Sequence, residues 1–150
     1  MRTAIVDRVL DPTALLAEVA SADSGASTLF VGTVRRQNDG REVTGIDYSA
    51  YVPMAERELA DVVAEACERY GTAHITVEHR LGTLTLGEAS IVIAVSHARR
   101  AAAMGAQKFV IEQVKARVPI WKREHYADGT RDWVDPTRVA IPEADAAGIP

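Results

Sequence analysis

Apolar residues recur along this chain with two alternating periods, and each change of period marks an element. Thr3 to Val9 alternates as a short strand, and Asp11-Pro12 supplies an N-cap and a first-turn proline for a helix to about Ala22, closed by Ser24-Gly25. Ala26 to Arg35 is apolar and β-branched, the composition of a largely buried strand. Gln37-Asn-Asp-Gly40 is then a turn signal before a second strand at Val43 to Ala50. These two strands are expected to form a hairpin with a polar tip. Leu59, Val62, Val63, Ala66, Cys67 and Tyr70 fall at helical spacing behind Pro53, with Glu56, Arg57, Asp61 and Glu65 on the other face and Gly71 as the stop. His74 to Leu81 and Ala89 to Ser96 read as strands joined by Gly82-Thr-Leu-Thr-Leu-Gly87. Ala103, Ala106, Val110, Ile111 and Val114 define a third helix ending at Lys115. Pro119 forbids its continuation, and Ile120, Trp121 and Lys122 begin a strand leaving it. Asp128-Gly129 is a last turn before a short extended segment at Trp133-Val134.

The order β-α-β-β-α-β-β-α-β mixes hairpins with helical crossovers. It predicts an α+β fold of a single domain, with a mixed or antiparallel sheet packed against helices. The domain is expected over residues 1–135, and residues 136–150, without a clear period, as a C-terminal arm or disordered tail. At 150 residues and 47% hydrophobic content, the chain can bury a real core without staples.

The formal net charge of -4 argues against general binding to nucleic acid or an acidic membrane, and leaves small anionic ligands in play. Cys67 is the one cysteine, so neither an intrachain disulfide nor a clustered-thiol zinc site can form. His74, His79, His97 and His125 show no pair at zinc-helix spacing, and no metal is expected. With no leader-like start and no apolar run near the ~20 residues of a membrane helix, a cytoplasmic location is expected.

Candidate chemistry concentrates in Lys115-Ala-Arg-Val-Pro-Ile-Trp-Lys-Arg-Glu124. Lys115 at a helix end and Lys122 at a strand start can converge on one pocket, where partial desolvation makes an amine a better base or nucleophile. A lysine in a last helical turn also simply complements the helix dipole. Arg35-Arg36 and Arg99-Arg100 sit at a strand end and a helix start, places suited to phosphate, or else are solvated charge. His79 is a core-edge or a site histidine, and Cys67 a buried small hydrophobe. Trp121, Trp133, Tyr48, Tyr51 and Tyr126 either stack on a heterocycle or fill core and interface.

Set in order, Phe30-Val-Gly-Thr-Val-Arg35, Tyr48-Ser-Ala-Tyr51 with Met54-Ala-Glu56, His79-Arg-Leu-Gly82, Gly87-Glu88 and Val118-Pro-Ile-Trp-Lys-Arg-Glu124 resemble the catalytic, large subunit of molybdopterin synthase. The likeness runs from about Thr3 to Val134. It implies an α/β-hammerhead type of domain and a sulfurtransferase that converts cyclic pyranopterin monophosphate to molybdopterin by installing the dithiolene sulfurs, with no cofactor of its own. The implied sulfur donor is a small ubiquitin-like subunit whose C-terminal Gly-Gly carries a thiocarboxylate. The implied assembly is a heterotetramer around a large-subunit homodimer, in which one large subunit can complete its neighbour's site.

Carried over by position, the resemblance implies that Lys115 and Lys122 are catalytic. It implies that Thr33, Val34, Arg35, Arg99, Arg100, Lys115, Lys122, Arg123 and Glu124 bind substrate. One departure stands out: Ser96-His-Ala-Arg-Arg100 places Arg99 where the family usually has histidine, and a permanent cation cannot shuttle protons there. Met104 replaces a usual phenylalanine. The lost histidine motivates an alternative, a non-catalytic pterin- or anion-binding paralogue. A further alternative is a protein-interaction module docking through Val118 to Trp121.

Overall fold

The computed structural model describes residues 1–134, so the expected arm at 136–150 lies outside the described residues. Helix α1 (Pro12–Glu18) starts where its capping chemistry places it: the Asp11 carboxylate accepts from the Ala14 amide at 3.2 Å and Pro12 opens the first turn. It ends short of the expected Ala22 because Ser21 Oγ takes the Asp23 amide in a local turn that competes with further helix. Helix α2 (Val52–Tyr70) closes on Gly71, whose φ of 70° is the left-handed conformation that glycine adopts without strain. Helix α3 (Arg100–Arg117) continues just past Lys115 and stops at Val118, held extended ahead of Pro119.

The strands are β1 (Arg2–Val6), β2 (Ala26–Thr33), β3 (Gln37–Asn38), β4 (Arg41–Ala50), β5 (Ile75–Arg80), β6 (Gly82–Thr85), β7 (Ala89–His97), β8 (Ile120–Tyr126) and β9 (Arg131–Val134). One sheet runs β1-β5-β7-β2, with β1 parallel to β5 and the other pairs antiparallel. In the other, β4 pairs with β3, β6 and β8, and β8 carries β9. The α+β class with mixed sheets stands, but as two sheets rather than one.

The expected hairpin between the second and third runs does not form. Strand β2 pairs with β7 from Ala26↔His97 to Thr33↔Ala89, while β4 lies in the other sheet. The turn forms with a different partner: Asp39 and Gly40, at φ 50° and 76°, make a two-residue turn that joins β4 to the short β3. The segment Gly82 to Gly87, read as a connection, contains β6, whose Leu84 is fully buried against Val43, Ile46 and Tyr126 in a second, smaller core.

Strand β7 lies between β5 and β2 and is buried on both faces. Ile91, Ile93 and Val95 enter the main core with α2 and α3, whereas Val92 and Ala94 face the cluster formed by Leu10, Leu15 and Val19 around α1. On β5, Glu78 is 1% exposed and is held by Arg2 Nη2 at 2.7 Å and Arg8 Nη2 at 3.0 Å. Burial alone would raise its carboxyl, but the Arg8 and Arg2 guanidiniums outweigh that and hold it below the ordinary range. A depressed carboxylate gives stability that is present above its unfolded pKa and lost as pH falls through the folded one. Thermal unfolding of Glu78→Gln is therefore expected to depend less on pH than the parent's between about pH 5 and pH 3; parallel melting curves would show that the clamp contributes nothing.

Candidate active site

Pro119 sets the geometry of the site. It ends α3 just beyond Lys115 and turns the chain into β8, which pairs with β4 in the register Tyr48↔Lys122, Asp47↔Arg123 and Ile46↔Glu124. Directly opposed residues share a face, so Tyr48, Lys122, Ile46 and Glu124 point one way, and Asp47 and Arg123 the other. The first face and the end of α3 enclose a small chamber of about 90 Å³ lined by Tyr48, His79, Ser90, Lys115 and Lys122 together with aliphatic side chains. Lys115, Lys122 and Tyr48 also line a wider cleft of about 1000 Å³, which reaches Thr33, Arg35, Asn38 and Glu124.

The two amines are held away from their ordinary state. Lys115 reaches into the open cleft and so touches solvent, yet protein surrounds it on most sides. That burial lowers its pKa, and the charges of Lys122 and Arg35 lower it further. Lys122 is also lowered, chiefly by burial, with Glu124 acting in the opposite sense. Glu124 is 3% exposed and accepts from Asn38 Nδ2 at 2.7 Å and from the Tyr126 hydroxyl at 2.9 Å, with Lys122 Nζ at 3.8 Å. Arg35 donates to Asn38 Oδ1 at 3.1 Å, which ties the cleft's arginine to the same chain of polar groups. A cleft with two lowered amines, a guanidinium tied to a neutral amide and an anchored carboxylate can hold an anion and move a proton beside it.

Among the expected substrate-binding residues, the structure brings Thr33, Arg35, Lys115, Lys122 and Glu124 together on this cleft. It does not bring the others. Val34 is 3% exposed inside the smaller core, and its amide and carbonyl are engaged with Glu88 and Gly87. Arg123 lies on the opposite face of β8, where it donates to Asp47 at 2.9 Å and stacks over Trp133. There Asp47 would be raised by burial, but His125, Thr83 and Arg123 bring it down to about 2. Arg99 and Arg100 stand exposed at the start of α3, about 22 Å from Lys115 at 1.5 Å per helical residue. Phosphate held jointly by Arg100 and Lys115 of one chain is thus ruled out by length. His97 Nδ1 accepts the Arg99 amide at 2.9 Å.

Other expectations resolve by packing. Cys67 is half-buried and burial pushes its thiol up, which suits an inert hydrophobe. Tyr48 faces the chamber and Tyr126 the smaller core, while Tyr51, Trp121 and Trp133 are exposed. Asn38 and Ser90 are not among the sequence candidates, and Tyr126 is one only as a stacking or core aromatic. Tyr126 was legible, since 122, 124 and 126 share a strand face. Asn38 and Ser90 come from other strands, and nothing local marks them. Among the described residues no cluster of metal-ligating side chains occurs, and no helix is long and apolar enough to cross a membrane.

Comparison with known proteins converges on one family. The profile of the MoaE protein matches residues 5–117. The molybdopterin synthase catalytic subunit of Thermoplasma volcanium is 41% identical over 129 residues, covering 86% of this chain and 94% of that protein. The Bos taurus protein of the same name is 44% identical over 115 residues, 77% of this chain, and the match spans 61% of its greater length. Among solved structures, molybdopterin synthase from Staphylococcus aureus superposes with a TM-score of 0.81 at 33% identity, covering 87% of this chain and 94% of that one. With its matched profile, its fold and its near-full-length relatives in agreement, this chain belongs to the MoaE family, that of the molybdopterin synthase catalytic subunits.

Proposed function

We propose that this chain is a molybdopterin synthase catalytic subunit, a sulfurtransferase of molybdenum cofactor biosynthesis acting on cyclic pyranopterin monophosphate. The observation that carries this reading is the convergence of Lys115 and Lys122, both with lowered pKa, on a cleft that also holds Arg35. Arg35 and Lys122 attract the anionic precursor and the incoming thiocarboxylate of a small ubiquitin-like subunit, whose Gly-Gly terminus is slender enough to enter the cleft. Each transfer forms a carbon–sulfur bond on the precursor in place of a carbon–oxygen bond, whose oxygen leaves as water, and breaks the one to the donor's carbonyl carbon, which takes oxygen from water and departs as a carboxylate. Lys115 serves as the proton acceptor and donor, or as a transient covalent partner, beside the reacting carbon.

Arg99 and Arg100 take part only if a second copy brings them, in line with a homodimer core in a heterotetramer. Their distance from Lys115 within one chain favours that arrangement. Reconstitution tests the reading: the chain, the precursor and a thiocarboxylated small subunit are mixed and molybdopterin is measured. Product is expected, and Lys122→Ala is expected to lower its rate by about tenfold or more, as a charge that both binds the donor and lowers Lys115 is lost. Binding of precursor without product would instead support the non-catalytic reading that Arg99, in the usual histidine's place, motivates. Partner binding that survives loss of both lysines and needs no small ligand would support an interaction module.

A further inference from the structure

His79 lines the inner chamber beside Lys115, and the proposed chemistry gives it no task. It is 7% exposed, near the end of β5, with apolar Ile5 and Ile91 as its register neighbours on β1 and β7. Tyr48 of β4 meets its ring edge-on at a centroid distance of 5.3 Å. The titratable and charged groups around it are Tyr48 from β4, Lys115 from α3 and Lys122 from β8. Among the described residues, no carboxylate lines the chamber to favour an imidazolium.

Its tautomer follows from one contact. Nδ1 lies 3.0 Å from the Arg80 carbonyl oxygen, which can only accept, so Nδ1 carries the hydrogen and Nε2 carries a lone pair. The ring is neutral, since burial, outweighing the Arg80 carbonyl and aided by the charge of Lys115, lowers its pKa to about 4. A buried, neutral histidine of fixed tautomer is thus set into the wall of a cavity that Lys115 also lines.

We propose that His79 is a positioning residue for Lys115, its Nε2 accepting a hydrogen bond from the lysine amine across the chamber. The chamber volume of about 90 Å³ accommodates a bridging water. Both the ammonium and the neutral amine have an N–H to donate, and in the neutral form that donation turns the nitrogen lone pair away from His79 toward the wider cleft. Being uncharged, the imidazole orients the amine without adding a third cation to Lys122 and Arg35. Tyr48, edge-on to the ring, keeps its plane.

This inference rests on the sulfur-transfer reading for its kinetic consequences but not for its geometry, so two measurements separate the failures. In the wild-type protein, imidazole ¹⁵N spectra should show the Nδ1–H tautomer, neutral to about pH 5, with an Nε2 resonance that moves as Lys115 titrates and stands still in Lys115→Ala. An Nε2–H tautomer, or an Nε2 signal indifferent to Lys115, overturns the proposal whatever the enzyme makes. In the reconstituted reaction, His79→Leu should lower kcat by about tenfold, the size of a hydrogen bond to a charged group, with KM for the precursor little changed. Loss of an acceptor that stabilises the ammonium should also move the acid limb of the pH–rate profile to lower pH. His79→Gln, whose amide oxygen can accept in place of Nε2, should restore both. Unchanged kcat and acid limb in His79→Leu, or a folded Gln variant no better than Leu, overturns it; should the Leu variant not fold, the Gln variant and the spectra decide. A wild-type protein that makes no molybdopterin would sink the sulfur-transfer reading and leave the spectral test standing.

Discussion

Lys115→Ala is expected to cut molybdopterin formation by at least about 100-fold, the usual contribution of a positioned proton-transfer group, while the protein stays folded. The amine lies in the cleft with burial, Lys122 and Arg35 all working against its charge, so part of its population is neutral at a pH where an ordinary lysine is not. The cleft's second amine does not replace it directly, because Glu124 offsets part of the lowering of Lys122. The fold has little to lose. A lysine whose folded pKa is depressed costs stability below its unfolded pKa, so its removal near neutral pH relieves that cost, and alanine is a good helix former at this position of α3. The melting temperature is expected to hold or rise. Lys115→Arg separates charge from proton transfer: it should bind the precursor yet stay inactive, since a guanidinium does not deprotonate in this range. Turnover near the parent's in Lys115→Ala would remove this residue from the mechanism.

The largest stability effect is expected from Ile93→Ala. Ile93 is fully buried on the strand between β5 and β2, paired with Val77 and Phe30, and belongs to the main core with α2 and α3. Truncation loses the transfer energy of the removed carbons and leaves a cavity that a sheet held on both edges cannot close, at a cost of about 2–5 kcal/mol. For a chain of this size that is a fall in melting temperature on the order of 10 °C, measurable by calorimetry. A fall of only a degree or two would mean that α2 and α3 can settle into the vacated space.

The sequence exposes the helices, and the strands less completely. Long apolar stripes with a proline at one end and glycine at the other identify α2, and Pro119 predicts both the end of α3 and the turn into β8. Strand pairing is harder, because alternation says which face is buried and nothing about which neighbour covers it. The hairpin misassignment arose there: Asp39-Gly40 announces a tight turn whether the strand before it is two residues long or ten. Strand β6 hid in a glycine-flanked segment whose one inward residue, Leu84, gives too short a pattern to read. In the candidate site, Lys115, Lys122 and Glu124 were legible as a motif, but Arg123 was carried along although strand parity alone excludes it from their face. The distance between Arg100 and Lys115 was equally legible, as a count of residues along one helix.

The pairing of β8 with β4 has a consequence for how this segment can vary in length. Only two residues separate Pro119 from Lys122, and the parity of that spacing decides whether the amine meets Lys115 or turns to the face of Asp47. One inserted residue would present Trp121 to the cleft and send Lys122 outward, along with the buried Ile120, Glu124 and Tyr126; two would restore the orientation one step further along. Length change in this stretch is therefore quantised in pairs, because an odd change would turn the buried Ile120, Glu124 and Tyr126 outward together with the amine, and site and core would be lost at once.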